Sequence, residues 1–248
     1  MSADGALTVS AGQPTVRVAL VGMGRMGRAL DALAVERGCE VVARLDAADM
    51  ARGISAADLH GAQVAIEFTT PESALANALT LLGLGCPVVI GTTGWGDSLP
   101  TLAAAIDTHR SAALWSPNFS LGVQLFLSIA EDAARRARDV LGFDVHVVET
   151  HHSAKIDAPS GTGIAIGERL EAGLGRPVPI TSVRVGSVPG THEVILDAPF
   201  EQIMLRHEAR DRRVFADGAL AAARWLAASR PPALYTMRDV LSSSASTT

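Results

Sequence analysis

The 248-residue chain is poor in cysteine, with only Cys39 and Cys86, and has a single lysine, Lys155. Each cysteine opens an apolar predicted strand with no metal-ligand spacing around it, which excludes a cysteine-built metal site and leaves two buried free thiols. No basic run with interleaved aromatics occurs, and the formal net charge is −5, so nucleic-acid binding has no electrostatic source and a small-molecule partner is expected. Long hydrophobic runs are also missing. The longest, over 79–90, is broken by Gly83, Gly85 and Pro87 and is too short to span a bilayer. Residues 1–14 lack the basic and apolar segments of a signal peptide, so they read as a disordered leader and the expected location is the cytoplasm. Neither an internal repeat nor a low-complexity array is present.

What the chain does have is a 48% hydrophobic composition, enough to bury a full core in one large domain or two unequal ones. From Thr15 the pattern runs strand, glycine turn, helix over about 24–36, then strand over 40–45, a βαβ unit. Apolar strands at 64–68, 87–90 and 112–115 follow, separated by Ala- and Leu-rich helical stretches. This alternation predicts an α/β fold with a Rossmann-type, doubly wound parallel sheet. After Asn118 the rhythm changes to an amphipathic helix over 121–140, a strand over 144–150, a helix from Gly161 and strands near 181–186, 192–196 and 202–208. A helix over 213–228 closes the series. Consecutive strands there predict antiparallel pairing in an α+β second domain.

Gly22-Met23-Gly24-Arg25-Met26-Gly27 lies between the first strand and its helix. Its glycines permit a tight turn, close approach of a pyrophosphate and close helix–strand packing. The helix N-terminus adds free N–H groups and a positive dipole end. Asp46 ends the second strand, where an acid accepts hydrogen bonds from ribose hydroxyls and repels a 2′-phosphate. Phe68-Thr69-Thr70-Pro71 and Gly91-Thr92-Thr93-Gly94 follow later strands. Their small residues and hydroxyls suit a nicotinamide ribose and carboxamide, although each segment also fits an ordinary N-cap and turn.

The densest chemistry lies over 151–163. His151, His152 and Lys155 put three titratable groups just after a strand, and Ser160-Gly161-Thr162 leads into a helix whose amides can hold a carboxylate. A lysine can donate a proton where an arginine cannot, which gives a chemical reason for one lysine among 20 arginines. His60 and His109 fall at helix ends, His146 in a strand, and His192 and His207 in later strands from which they either approach the site or pack. No two histidines form a metal motif, and no metal is expected.

Taken together, these motifs resemble the 4-hydroxy-tetrahydrodipicolinate (dihydrodipicolinate) reductases over 18–241. The resemblance is carried by the Gly24–Gly27 turn, Phe68-Thr69-x-Pro71, Gly91-Thr92-Thr93-Gly94 and Ser116-Pro117-Asn118-Phe119-Ser120. It continues through Glu149-x-His151-His152-x-x-Lys155-x-Asp157-Ala158-Pro159-Ser160-Gly161-Thr162, Gly190-x-His192, His207-x-Ala209-x-x-Arg212 and Tyr235-x-Met237-x-Asp239-Val240-Leu241. It departs in a glycine turn one residue shorter than in many members, in Gly163 where alanine is usual and in Ala233 where glycine is common. The resemblance implies a dinucleotide-binding domain over 15–120 and 229–248, holding NADH or NADPH. A substrate-binding and tetramerisation domain would occupy 121–228.

In family terms Ser116, Pro117, Asn118 and Phe119 join the cofactor set. His151 is the proton donor or acceptor and Lys155 the proton donor. His152, Gly161 and Thr162, with Ser160 beside them, hold a dicarboxylate substrate. The reaction implied is hydride transfer to ring C4 of a conjugated imine, protonation at C3 and loss of water, in diaminopimelate and lysine synthesis. Asp46 with Ala47 after it favours NADH at least as well as NADPH. Two other functions share the glycine turn: an aspartate dehydrogenase-like oxidoreductase, which needs no Pro-Ser-Gly-Thr beside His-His, and a dinucleotide sensor without turnover, which needs neither Lys155 nor the histidines.

Overall fold

The computed structural model describes residues 15–140 and 142–244; the proposed leader over 1–14 lies outside them. Two compact units divide the chain, one running to Phe119 and resuming at Phe215, the other covering Ser120–Val214.

The first unit contains β1 (Val16–Val21), α1 (Arg25–Leu33), β2 (Cys39–Leu45), α2 (Ala47–Arg52), β3 (Val64–Glu67), α3 (Pro71–Gly83), β4 (Val88–Ile90), α4 (Leu99–His109) and β5 (Ala113–Trp115). The second contains α5 (Leu121–Arg138), β6 (Asp144–His151), α6 (Gly161–Leu174), β7 (Ile180–Arg184), β8 (Thr191–Ala198) and β9 (Glu201–Glu208). The chain then runs through α7 (Arg213–Ala227), β10 (Leu234–Tyr235) and α8 (Met237–Ser244).

The first sheet is parallel throughout, in the order β10-β5-β4-β3-β1-β2. Its strands are nearly continuous apolar runs because helices cover both faces of such a sheet. Ala19, Val21, Ala65, Val88, Ile90 and Ala113 share one core with Leu81, Leu82, Leu102 and Ile106 of the flanking helices. The register matters more for function. Val21 pairs with Leu45 and with Glu67, Glu67 with Ile90, and Ile90 with Trp115. These residues form one row at the carboxyl edge, so the loops that follow all leave from the same edge of the sheet, where doubly wound sheets bind ligands.

In the second unit the order is β7-β6-β8-β9. The later pairs are antiparallel, as the strand succession predicts, but β6 and β7 are parallel because α6 crosses between them. Val145, Val147, Val194 and Leu196 pack under α5 and α6. Ser120 caps α5 by accepting from the Val123 amide at 3.2 Å, and Arg135, Arg136 and Arg138 sit in its last turn, where positive charge complements the helix dipole.

The resemblance puts the 213–228 helix in the second domain. From Phe215 onward α7 instead belongs to the first unit, where Asp217 pairs with Arg37 and the following chain enters the sheet as β10 beside β5. The short α2, β10 and α8 carry too few residues for a periodic signal in the sequence. Among the described residues no helix is long and apolar enough to cross a membrane. Cys39 and Cys86 are buried free thiols, and burial pushes them up to about 11 and about 12.

Candidate active site

The glycine turn follows β1 directly. Gly22 has φ +95°, and a Cβ on it would meet the Phe68 carbonyl oxygen at 2.1 Å; one on Gly27 would meet the Gly22 carbonyl oxygen at 2.1 Å. Both positions therefore require glycine for packing of the turn against its surroundings. Gly24 differs, because a Cβ there would meet nothing within 4 Å. The space in front of α1 is open, its N-cap has no side-chain hydrogen bond, and its first turn carries no acid. Met23 and Met26 are partly buried and Arg25 is exposed. An open helix N-terminus free of competing carboxylates fits a pyrophosphate.

Asp46 is exposed after β2, as expected, and it also caps α2. Its Oδ1 accepts from the amides of Ala48 at 2.8 Å and Asp49 at 3.2 Å, while its own amide donates to Asp49 Oδ2 at 2.9 Å. Arg44, the nearest cation before it in sequence, is paired through two nitrogens with Asp31 at 2.9 and 2.6 Å.

The loops after β3, β4 and β5 interlock. The Phe68 ring fills the space beside Gly91, where a Cβ would lie 2.0 Å from it, and packs 5.8 Å from the Phe119 ring. Thr92 is buried: its Oγ1 accepts from the Thr69 amide at 2.7 Å, and its carbonyl accepts from the indoles of Trp95 at 2.7 Å and Trp115 at 3.3 Å. Thr93 is exposed. Ser116 Oγ donates to the Asn118 carbonyl at 2.8 Å and accepts from its amide at 3.2 Å, with Pro117 exposed beside it. Thr92 thus serves the shape of the loop with its side chain, and Thr93 is the exposed hydroxyl.

In the second unit Glu149, fully buried on β6, organises the turn that follows. It accepts from the Ser160 amide at 2.9 Å, Ser182 Oγ at 2.8 Å and Arg184 Nη2 at 2.8 Å, and from the Ser160 hydroxyl. Burial alone would raise this carboxyl, but the bonds from Ser160, Arg184 and Ser182 outweigh it and hold Glu149 at about 2. Ser160 in turn caps α6, accepting from the Gly163 amide at 3.0 Å. A Cβ on Gly163 would stand 3.0 Å from Glu149 Oε2, so glycine there eases the approach of helix to carboxylate.

Gly161, the first residue of α6, is exposed, with nothing within 4 Å of an added Cβ, and Thr162 beside it is half-buried. This terminus offers an open, positively polarised end to a carboxylate.

Lys155 Nζ lies 2.8 Å from Asp157 Oδ1 and is about one-quarter exposed, so the ammonium is held at the turn and remains reachable. His152 is half-buried. His151 is buried, with Nδ1 3.5 Å from Glu149 Oε2; burial lowers its basicity, Glu149 opposes that, and Lys155 and Arg184 add to it. The structure brings His151, Lys155, Ser160, Gly161 and Thr162 together on consecutive elements of one unit.

In sequence His192 and His207 either approach the site or pack. Pairing of Glu149 with His192 and of His192 with His207 puts the three in one row across the sheet, on the face that carries His151. His192 stacks edge-on to His151 with ring centres 5.2 Å apart and stands 6.1 Å from His207. Burial first, then the neighbouring His151, holds His192 down at about 4. Donor atoms of Glu149, His151 and His192 all lie within 4.8 Å, a metal-ligand set invisible in sequence because it spans two strands. Arg184 already compensates the Glu149 charge there and Lys155 is nearby, which opposes a further cation.

Family models for the N-terminus and the C-terminus of dihydrodipicolinate reductase match residues 16–119 and 122–241. A 4-hydroxy-tetrahydrodipicolinate reductase of Thiobacillus denitrificans is 37% identical, covering 92% of this chain and 98% of that relative. One of Christiangramia forsetii is 33% identical with the same coverage. The dipicolinate-bound dihydrodipicolinate reductase of a Paenisporosarcina species shares the fold at TM-score 0.74 and 23% identity, over 90% of this chain and 97% of that one. An amine dehydrogenase from Mycobacterium smegmatis is similar at TM-score 0.56 and 10% identity, over 91% and 96%. With matched models over both units and relatives aligned almost end to end, the chain belongs to the dihydrodipicolinate reductase family.

Proposed function

We propose that this protein reduces 4-hydroxy-tetrahydrodipicolinate to tetrahydrodipicolinate with loss of water, using a reduced nicotinamide dinucleotide, in diaminopimelate and lysine synthesis. The observation that carries this reading is the joint placement of His151 and Lys155 beside the open N-terminus of α6, with His151 and the helix cap organised by buried Glu149 and Lys155 by Asp157. A cyclic dicarboxylate matches that cationic, amide-rich turn. Gly161 and Thr162 hold one carboxylate at a turn that Ser160 shapes, its amide and hydroxyl both given to Glu149, and His152 supports the substrate from the preceding turn. Lys155 donates the proton that the reduced ring takes at C3, and His151 exchanges protons with the substrate or its departing water.

The cofactor, when bound, supplies the hydride that reduces ring C4. Gly22, Met23, Gly24, Arg25, Met26 and Gly27 receive its pyrophosphate in the open space before α1. Phe68, Gly91, Thr92, Thr93 and the segment Ser116, Pro117, Asn118 and Phe119 shape the place for the nicotinamide half. Asp46 accepts from the adenosine ribose while Arg44 stays with Asp31, so NADH is used at least as well as NADPH. Oligomerisation into a homotetramer uses the second sheet, whose face away from α5 and α6 carries Val148, Ile195, Met204 and Val183.

Product identification tests the reading. Protein, NADH and freshly condensed pyruvate and aspartate semialdehyde should yield tetrahydrodipicolinate by mass spectrometry; NADH left unconsumed and substrate unchanged would refute it.

A further inference from the structure

Glu67 ends β3 in the middle of the carboxyl-edge row, fully buried, and its charge has no cationic partner among the described ion pairs. A carboxyl placed so is expensive to keep unless its bonds do something. Its Oε1 accepts from the Thr69 hydroxyl and lies 3.5 Å from Asn77 Nδ2, while Oε2 is buried without a partner. Thr69 belongs to the loop after β3 and Thr92 to the loop after β4, and the Thr69 amide donates to Thr92 Oγ1 at 2.7 Å. Thr69 Oγ1 is further fixed by Ser73 at 2.8 Å and Asn77 at 3.3 Å. Through Thr92 the network reaches both Trp95 and Trp115.

We propose that Glu67 is a positioning residue for the nicotinamide half of the cofactor, its buried carboxyl holding the hydroxyl of Thr69, whose amide donates to Thr92, and so fixing the loops after β3 and β4 as one receiving surface. The proposal rests on the cofactor reading of those loops given above. Burial raises the Glu67 carboxyl toward its neutral form, and the bonds from Thr69 and Asn77 oppose that only in part. A neutral carboxyl with one oxygen accepting from Thr69 is closely copied by glutamine, whose amide carbonyl accepts in the same place.

The experiment measures binding of NADH and of ADP-ribose, which lacks the nicotinamide, by quenching of tryptophan emission and by calorimetry, well below each variant's melting temperature. Glu67→Ala is expected to raise the Kd for NADH about tenfold or more while leaving ADP-ribose within about twofold, and Glu67→Gln to restore most of the NADH affinity. Thr69→Val removes the hydroxyl that Glu67 holds, without emptying the core, and should show the same split, which decides the matter if Glu67→Ala fails to fold. Gly24→Leu, which fills the space before α1, should weaken both ligands. Equal weakening of both ligands by Thr69→Val, or wild-type NADH affinity in Thr69→Val and Glu67→Ala, overturns the proposal while Gly24→Leu still supports the cofactor reading. If Gly24→Leu leaves both affinities unchanged, that reading itself fails.

Discussion

Protonating His192 should destabilise the second unit before Glu149 titrates. The ring is 4% exposed, neither of its nitrogens has a hydrogen-bond partner, and burial holds it down at about 4 against an ordinary 6.5. Because the folded value is depressed, the unfolded chain binds more protons between about 4 and 6.5. The stability contributed by neutral His192 is therefore complete above 6.5 and lost as pH falls toward 4. At about 1.4 kcal/mol per pH unit across that window, the full loss is about 3 kcal/mol, of which about 2 kcal/mol has gone by pH 5. Glu149, held at about 2, adds its own loss only below its ordinary 4.5, so the two are separable. His151 and His207 are also lowered by burial and act in the same direction, which makes a variant necessary. Urea denaturation of wild type and His192→Gln from about pH 7.5 to 5 should show the wild type losing about 2 kcal/mol more than the variant. Parallel curves, or a wild type as stable at pH 5 as at 7.5, would refute the burial argument.

Lys155→Ala and His151→Ala should each lower kcat by about 10² to 10⁴ with the NADH Kd nearly unchanged, since proton transfer is removed and the first unit is untouched; near-normal kcat in both would remove their assigned roles. Asp46→Ala should lower the ratio of kcat/KM for NADH to that for NADPH, a ratio insensitive to the stability lost with the α2 cap. An unchanged ratio means that Asp46 caps α2 and does not read the ribose. Light scattering at micromolar concentration should give a tetramer, and substituting Met204 and Val183 by Glu should shift it to smaller species; a monomeric wild type contradicts that use of the sheet.

The parts of this molecule that sequence discloses are those encoded within one loop. The Gly22–Gly27 turn and the His151–Thr162 string each carry their residues within a few positions, and strand ends locate them without knowledge of the sheet. Partnerships set by register across strands were not legible. Nothing local to Glu149 marks Ser182 or Arg184 as its donors, and His192 and His207 join it only because β8 and β9 pair in that order. Asp46 shows a second limit, since a ribose contact and a capping box with Asp49 call on the same carboxylate and its position at a strand end signals only the first. In sequence Thr92 fits either a ligand contact or a turn, and burial gives its hydroxyl oxygen to the Thr69 amide. The unit to which α7 belongs is hidden for a similar reason: its alanine-rich face suits either unit, and the pairing of Arg37 with Asp217 ties it to the first.

The most direct test of the central claim is the rate of NADH oxidation, followed by nicotinamide absorbance, when purified protein meets freshly condensed pyruvate and aspartate semialdehyde. Oxaloacetate with ammonia serves as the substrate of the competing aspartate dehydrogenase-like chemistry. Rapid oxidation with the first substrate, little with the second, and near-complete loss of the first in Lys155→Ala is the predicted result. Oxidation only with oxaloacetate and ammonia, or with neither, would contradict the account.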